Sequence, residues 1–108
     1  GDEIGGHFVT GHIDGVTELL DLKRDDGSMI LRFKNKKKFN KFLPPKGSIS
    51  IDGVSLTVNE SNEEYFAVNI IDHTQKNTTL GEIHIGQIVN IEVDMFAKYI
   101  ENFMESIK

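Results

Sequence analysis

Two groups of polar side chains in this sequence could do chemistry, and the first is a pair of histidines. His7 and His12 lie in a glycine-rich segment, with the carboxylate of Asp14 close by in sequence. Since imidazole titrates near neutrality, either ring could line a pocket and carry a proton. The alternatives are a hydrogen-bonded or surface histidine and a metal ligand. A metal site is disfavoured, because the spacing places the rings on opposite faces of a regular strand and the chain offers no cysteine.

The second group is a row of hydroxyls on a predicted β-hairpin formed by residues 46–58. Asp52-Gly53 indicates its turn, because both central residues of a type I′ turn need positive φ. With this turn, one face of the hairpin is aliphatic and the other carries four hydroxyl side chains: Ser48, Ser50, Ser55 and Thr57. The pattern alone favours a solvated outer face, and the functional alternative is a site for a polar ligand. Asp52 is explained by the turn alone, and Ser55 lacks the Gly-x-Ser-x-Gly context of a nucleophile.

Two later segments leave alternatives open. Thr74, Thr78 and Thr79 could cap a helical turn or bind a ligand, and capping is the simpler interpretation. Asp94 is the predicted N-cap of a terminal helix over residues 95–108. That helix carries a stripe of large apolar side chains at helical spacing: Met95, Phe96, Tyr99, Ile100, Phe103, Met104 and Ile107. The stripe could pack on the rest of the chain or pair with other subunits, and its width favours assembly.

The elements that must position these residues are short strands joined by tight turns. Apolar and β-branched segments predict about six strands, and Asp26-Gly27 predicts a second hairpin turn. One or two helical turns are predicted over residues 36–43, ended by Pro44-Pro45. We therefore expect an all-β fold, a closed antiparallel barrel over residues 1–94 that includes one short helix, followed by an amphipathic helix over residues 95–108.

Composition limits the classes of protein to which the chain can belong. Its 108 residues suffice for one domain with a real core, and its net charge of −5 argues weakly against a nucleic-acid binder. The absence of cysteine excludes a disulfide framework and a thiol nucleophile, and it fits a reducing cytoplasm. No apolar run reaches membrane-spanning length and no signal peptide is visible. Because the chain starts at Gly1 without a methionine, we expect a piece of a longer protein.

Four motifs, and the order in which they occur, resemble those of a known family: GGHFVTGHIDG, KGSISIDGVSLTVN, NIIDHTQKNTTLG and GQIVNIEVDMFAKYIE. Together they resemble the lumazine-binding barrel of riboflavin synthase of the α-chain type, and more closely its second, C-terminal barrel. The resemblance runs over nearly all of the chain. It implies two similar six-stranded Greek-key barrels in tandem, followed by a helix through which three chains associate. It also implies a composite site between this barrel and the N-terminal barrel of a neighbouring subunit.

The resemblance implies a chemistry as well. Riboflavin synthase binds two molecules of 6,7-dimethyl-8-ribityllumazine and moves a four-carbon unit from one to the other. The products are riboflavin and 5-amino-6-ribitylamino-pyrimidinedione, and no metal or redox cofactor is involved. The runner-up function is a non-catalytic lumazine- or flavin-carrying protein on the same barrel. A third hypothesis is a structural barrel module whose terminal helix mediates assembly.

The resemblance assigns site roles to residues of this sequence at the positions where the motifs match. The resemblance implies catalytic roles for four side chains: His12, Ser55, Asp52 and Asp94. It implies contacts with the substrate for six more: His7, Ile13, Lys46, Thr57, Ile71 and Thr74. Asp72 departs from the family, which usually has proline at that place. Since proline would fix φ, the loop that covers the ring is expected to be looser in this chain.

Overall fold

The computed structural model describes residues 12–71 and 79–107, and its main feature is a closed β-barrel. Six antiparallel strands follow one another along the chain: β1 (Gly15–Asp25), β2 (Ser28–Lys34), β3 (Ser48–Ile51), β4 (Val54–Ser61), β5 (Tyr65–Ile71) and β6 (Ile88–Val93). Around the barrel their order is β1-β2-β5-β4-β3-β6, and β6 pairs with β1 to close it. The run β2-β5-β4-β3 has the connectivity of a Greek key. The predicted fold class, a closed six-stranded antiparallel Greek-key barrel, is therefore confirmed.

Two of the turns are tight Asp-Gly hairpins, as the sequence predicts. Asp52 and Gly53 have φ of 48° and 85°, and Asp26 and Gly27 have φ of 34° and 84°. Positive φ at both central residues is the requirement of a type I′ turn. The hairpin of β3 and β4 has the predicted register: Ile51 is opposite Val54, Ser50 opposite Ser55, Ile49 opposite Leu56 and Ser48 opposite Thr57. One face of the hairpin therefore points into the barrel and the other points outward.

Alternate side chains of the strands fill the barrel with an apolar core. Every strand contributes to it: Leu19, Met29, Leu31, Phe33, Ile49, Ile51, Val58, Phe66, Val68, Ile70, Val89 and Ile91. Phe33 and Phe66 stack with their ring centroids 5.5 Å apart. Burial of one large apolar side chain is worth about 1.5–3 kcal/mol. Because a shift by one residue would turn these side chains outward, the core also holds the strands in one register.

The short helix predicted over residues 36–43 is a single 3₁₀ turn, Asn40–Phe42. Phe39 and Leu43 flank this turn, and both are buried in the core. The helical segment lies where it was predicted, and it has one turn, where the sequence predicts one or two. A second 3₁₀ turn, Thr79–Glu82, precedes β6.

The described chain ends in the helix α1 (Met95–Ser106), which the sequence predicts together with its cap. The Oδ1 atom of Asp94 accepts a hydrogen bond from the backbone N–H of Phe96 at 3.0 Å. This bond satisfies one of the free amides of the first turn, so the N-cap prediction is confirmed. Neither α1 nor any other helix in the described ranges is long and apolar enough to cross a lipid bilayer.

Helix α1 meets the barrel through charged side chains and presents its apolar stripe outward. Lys98 pairs with Asp14, and towards the other end of the helix Glu105 pairs with Lys41 at 2.8 Å. No residue of the helix is buried. The large side chains of the stripe are between 47% and 71% exposed: Met95, Phe96, Tyr99, Ile100, Phe103, Met104 and Ile107. Of the two alternatives left open by the sequence, packing of the stripe on its own barrel is therefore wrong.

Candidate functional site

The hydroxyl row predicted on the β3–β4 hairpin lies on the outer face of the barrel, and its exposure is uneven. Ser50 is buried at 2% exposed, Ser48 and Ser55 are half-buried, and Thr57 is exposed. All of them share the face opposite to the core, because strand side chains alternate between faces. A solvated outer face, which the pattern alone favours, is wrong for Ser50. The exposure of the hydroxyl side chains therefore differs along the row, from the buried Ser50 to the exposed Thr57.

A buried carboxylate on β6 extends this row, and sequence analysis missed it. Glu92 is 5% exposed and lies opposite Ser50 across the β3–β6 pair. A carboxylate withdrawn from water is costly unless hydrogen bonds or charges compensate, so a buried one indicates a polar network or a site. The alternation of β6 puts Glu92 on the outer face, where a sequence pattern predicts solvent. Its sequence signal is weak, a single acidic residue between the buried Ile91 and Val93.

Exposed apolar surface lies beside the hydroxyl row. Ile71, the last residue of β5, is 61% exposed. Strands β4 and β5 are antiparallel, with Val58 opposite Val68. Continuation of that register toward the end of β5 places Ile71 beside Ser55. A flat ring could therefore rest on Ile71 while its polar substituents reach the Ser55 hydroxyl, which is the mixed character of a small-molecule site.

Asp52 and Lys46 lie at opposite ends of the same hairpin. The Oδ1 atom of Asp52 accepts a hydrogen bond from the Asn90 N–H at 2.7 Å, and the Asp52 N–H donates to the Asn90 carbonyl at 3.0 Å. This carboxylate therefore ties the turn to β6. Lys46 is exposed, and its N–H donates to the Val58 carbonyl at 2.6 Å. Extended chain would separate Asp52 from Lys46 by roughly 20 Å, so only an elongated ligand could approach both.

The segment that carries His12 enters the barrel beside the end of β6. His12 and Ile13 are exposed, and the N–H of Asp14 donates to the Ile91 carbonyl at 2.8 Å. Asp94 follows β6 directly and caps helix α1. The structure thus brings His12 and Asp94 to the carboxyl end of β6. That strand is the neighbour of β3, which carries Ser48 and Ser50 of the hydroxyl row.

Some predicted residues fall outside the part of the chain that the structure describes. These are His7 and Thr74, together with Asp72, Thr78 and the side chain of Thr79. Their roles stay predictions. Within residues 12–71 and 79–107, no group of three or more His, Asp or Glu side chains is arranged to hold a metal ion.

A concave surface lies away from the hydroxyl row. It is a cleft of about 320 Å³ whose walls include Lys41, Pro44, Pro45 and Asn62. Among the predicted site residues that the structure describes, none lines this cleft. Its lysine is already paired with Glu105 of helix α1. The hydroxyl row, with the apolar surface beside it, is therefore the better candidate site.

Comparison with known proteins places the chain in a family. A family model described as a lumazine binding domain matches residues 10–94. A riboflavin synthase from Actinobacillus pleuropneumoniae is 48% identical over 100 residues, which is 93% of this chain and 46% of the relative. A riboflavin synthase from Schizosaccharomyces pombe is 36% identical over 104 residues, which is 95% of this chain and 50% of the relative. The chain thus spans about half the length of the curated relatives it matches.

Solved structures share the barrel. The crystal structure of LumP complexed with riboflavin matches with a TM-score of 0.78 and 25% identity, over 86% of this chain and 50% of that chain. LumP complexed with 6,7-dimethyl-8-(1'-D-ribityl) lumazine matches with a TM-score of 0.77 and 24% identity, over 85% of this chain and 52% of that chain. At that lower identity, the second likeness shows the fold alone.

Proposed function

We propose that this chain, which belongs to the lumazine-binding domain family, binds 6,7-dimethyl-8-ribityllumazine as one half of a riboflavin synthase. The observation that carries the proposal is the hydroxyl row beside the exposed Ile71 on the outer face of the barrel. The riboflavin synthases that the chain resembles over about half of their length support it. In this proposal the other half of the protein supplies the second binding surface.

The two parts of the ligand suit two kinds of surface. The bicyclic ring is flat, and it would rest on the exposed side chain of Ile71. The ribityl chain carries hydroxyls that would exchange hydrogen bonds with Ser55 and Thr57, and its far end would extend toward Lys46. Each neutral hydrogen bond is worth roughly 0.5–1.5 kcal/mol net. The hydroxyl row therefore orients the ligand, and the ring contact supplies much of the affinity.

In the proposed reaction a four-carbon unit moves from one lumazine to a second, giving riboflavin and 5-amino-6-ribitylamino-pyrimidinedione. The reaction requires loss of a proton from an acidic methyl group of the ring, which needs a base and stabilisation of the anion rather than a strong nucleophile. We assign these proton transfers to His12, Ser55, Asp52 and Asp94. His12 suits them because its ring is exposed and an imidazole can both accept and donate a proton. Holding two rings face to face contributes at most roughly 7–11 kcal/mol.

Assembly in this proposal depends on helix α1. Residues 1–94 form the barrel, and residues 95–108 form the element through which three chains associate. The outward apolar stripe supports this role, because a stripe of this size left in water would be unfavourable. The N-terminal barrel of a neighbouring subunit would then cover the hydroxyl row and complete the site.

The second candidate function is a non-catalytic carrier of lumazine or flavin. The likeness to LumP complexed with riboflavin favours it. Both candidates require ligand binding at the same surface of the barrel. They differ in turnover, because a carrier releases the ligand that it bound.

Turnover therefore separates the two candidates. The longest natural polypeptide that contains this chain is incubated with 6,7-dimethyl-8-ribityllumazine, and riboflavin is followed by fluorescence. We expect riboflavin to form, and His12→Ala to slow its formation by roughly 10²-fold or more. His84→Ala is the control, since His84 is an exposed histidine in the connection before β6 and should leave the rate unchanged. Saturable binding without turnover would favour the carrier, and the absence of both would contradict the proposal.

A further inference from the structure

Asp14 joins three parts of the structure at the point where the His12 segment, strand β6 and helix α1 meet. Its N–H donates a hydrogen bond to the Ile91 carbonyl at 2.8 Å. Its Oδ2 atom accepts a hydrogen bond from the Val93 N–H at 2.8 Å. Its Oδ1 atom pairs with the Lys98 ammonium group. One short side chain thus connects the entry into β1, the end of β6 and the helix.

Lys98 occupies an unfavourable position for a cation. It is the fourth residue of α1, near the helix N-terminus, where the dipole favours negative charge. Its N–H donates to the Asp94 carbonyl at 3.2 Å, as the helix requires, but its ammonium group leaves the helix to reach Asp14. The stability of the helix alone therefore gives no reason for a lysine here. The contact with Asp14 gives a reason for the lysine at this position.

The pair of Asp14 and Lys98 is more sheltered than the Lys41–Glu105 pair between helix and barrel. The side chains of Lys98 and Asp14 are 34% and 15% exposed, against 46% and 49% for Lys41 and Glu105. Exposed pairs hold two side chains together weakly, because water and salt screen them. A sheltered carboxylate that also accepts a backbone N–H is held in one place. Asp14 is thus suited to hold β6, helix α1 and its own segment in a fixed arrangement.

We infer that Asp14 is a positioning residue that couples the placement of helix α1 to the placement of His12. The inference rests on the proposed function in so far as His12 belongs to the lumazine site. His12 lies two residues before Asp14, in a stretch that is neither strand nor helix, so a displacement of Asp14 is transmitted along the backbone to His12. When chains associate through α1, a change in the helix reaches the site through this carboxylate. Assembly and ligand binding are thereby linked.

Substitutions on both sides of the pair test this link in the 108-residue chain. Asp14→Asn removes the charge pair and keeps an amide oxygen for the Val93 N–H. Lys98→Gln removes the same pair from the helix side, and Lys98→Arg preserves it. Lys41→Gln is the matched control, because it breaks the Lys41–Glu105 ion pair between helix and barrel.

The side-chain NMR resonances of His12 report its surroundings without any ligand. Asp14→Asn and Lys98→Gln are expected to shift these resonances, whereas Lys98→Arg and Lys41→Gln should leave them in place. In the first two variants alone, the dissociation constant for riboflavin, measured by fluorescence titration, should rise about fivefold or more. A purely structural ion pair would change neither quantity.

Two results would overturn the inference. One is that the His12 resonances stay in place in both Asp14→Asn and Lys98→Gln. The other is an equal shift in Lys41→Gln, because general docking of the helix would then be the cause. If Asp14→Asn does not fold, Lys98→Gln decides alone, since it leaves both backbone contacts of Asp14 intact. If the unaltered chain does not bind riboflavin, the proposed function fails, and the His12 resonances still decide this inference.

Discussion

Replacement of Phe103 by serine should weaken the association of chains without weakening the fold of the single chain. Phe103 lies within the apolar stripe of α1 and is 64% exposed. Full burial of a phenylalanine side chain is worth up to roughly 3 kcal/mol, so burial of the exposed part between copies is worth about 1–2 kcal/mol per chain. In a trimer the three substitutions add to roughly 3–6 kcal/mol, a loss of about 10²–10⁴ in the association constant. The helix itself should persist, because phenylalanine and serine have similar helix propensities.

Sedimentation velocity over a range of concentrations measures the association, and urea unfolding of dilute protein measures the stability of the single chain. Asn102→Ser is the matched control, because it introduces the same residue at an exposed polar position of the same helix. We expect the control to associate like the unaltered chain and Phe103→Ser to be shifted to monomer. The free energies of unfolding of the three should agree within about 0.5 kcal/mol. Equal association of all three would refute the role of the stripe in assembly.

Three further predictions concern the core, a surface hydrogen bond and the ligand site. Phe33→Ala should lower the free energy of unfolding in urea by about 3–5 kcal/mol, because the ring is fully buried, and a loss under about 1 kcal/mol would contradict the packing. The hydrogen bond that the Tyr65 hydroxyl donates to Glu60 Oε2 raises the pKa of Tyr65, so its stabilising contribution is present below the unfolded pKa of 10.0 and is lost as the pH rises through the folded pKa. Glu60→Gln should return the ultraviolet titration of Tyr65 toward its ordinary range, and an unchanged titration would argue against the contact. Ser55→Ala combined with Thr57→Val should raise the dissociation constant for riboflavin roughly tenfold; unchanged affinity would favour the structural barrel module.

The elements that depend on local chemistry could be predicted from the sequence. Asp52 and Gly53 set both the turn and the register of β3 and β4, because positive φ and the two-residue period of a strand are properties of neighbouring residues. The cap at Asp94 likewise depends only on the first turn of its own helix. These features need no knowledge of the rest of the chain.

The features that could not be predicted depend on contacts between distant parts of the chain. Ser50 and Glu92 are buried where β3 pairs with β6, and the alternation within each strand says only that they face outward. Lys98 reaches Asp14 across 84 residues of sequence, so the way in which α1 meets the barrel has no local signal. The roles assigned to site residues such as Ser55 stay predictions, because register and burial do not distinguish a hydroxyl that binds a substrate from one that binds water.

Titration of the chain with 6,7-dimethyl-8-ribityllumazine, followed residue by residue by NMR, tests the central claim most directly. We predict saturable shifts that concentrate at the backbone amides of His12, Ser55, Thr57 and Ile71, on the outer face of the barrel. The absence of any saturable shift, or shifts confined to the cleft around Asn62, would contradict the claim that this barrel binds lumazine at its hydroxyl row.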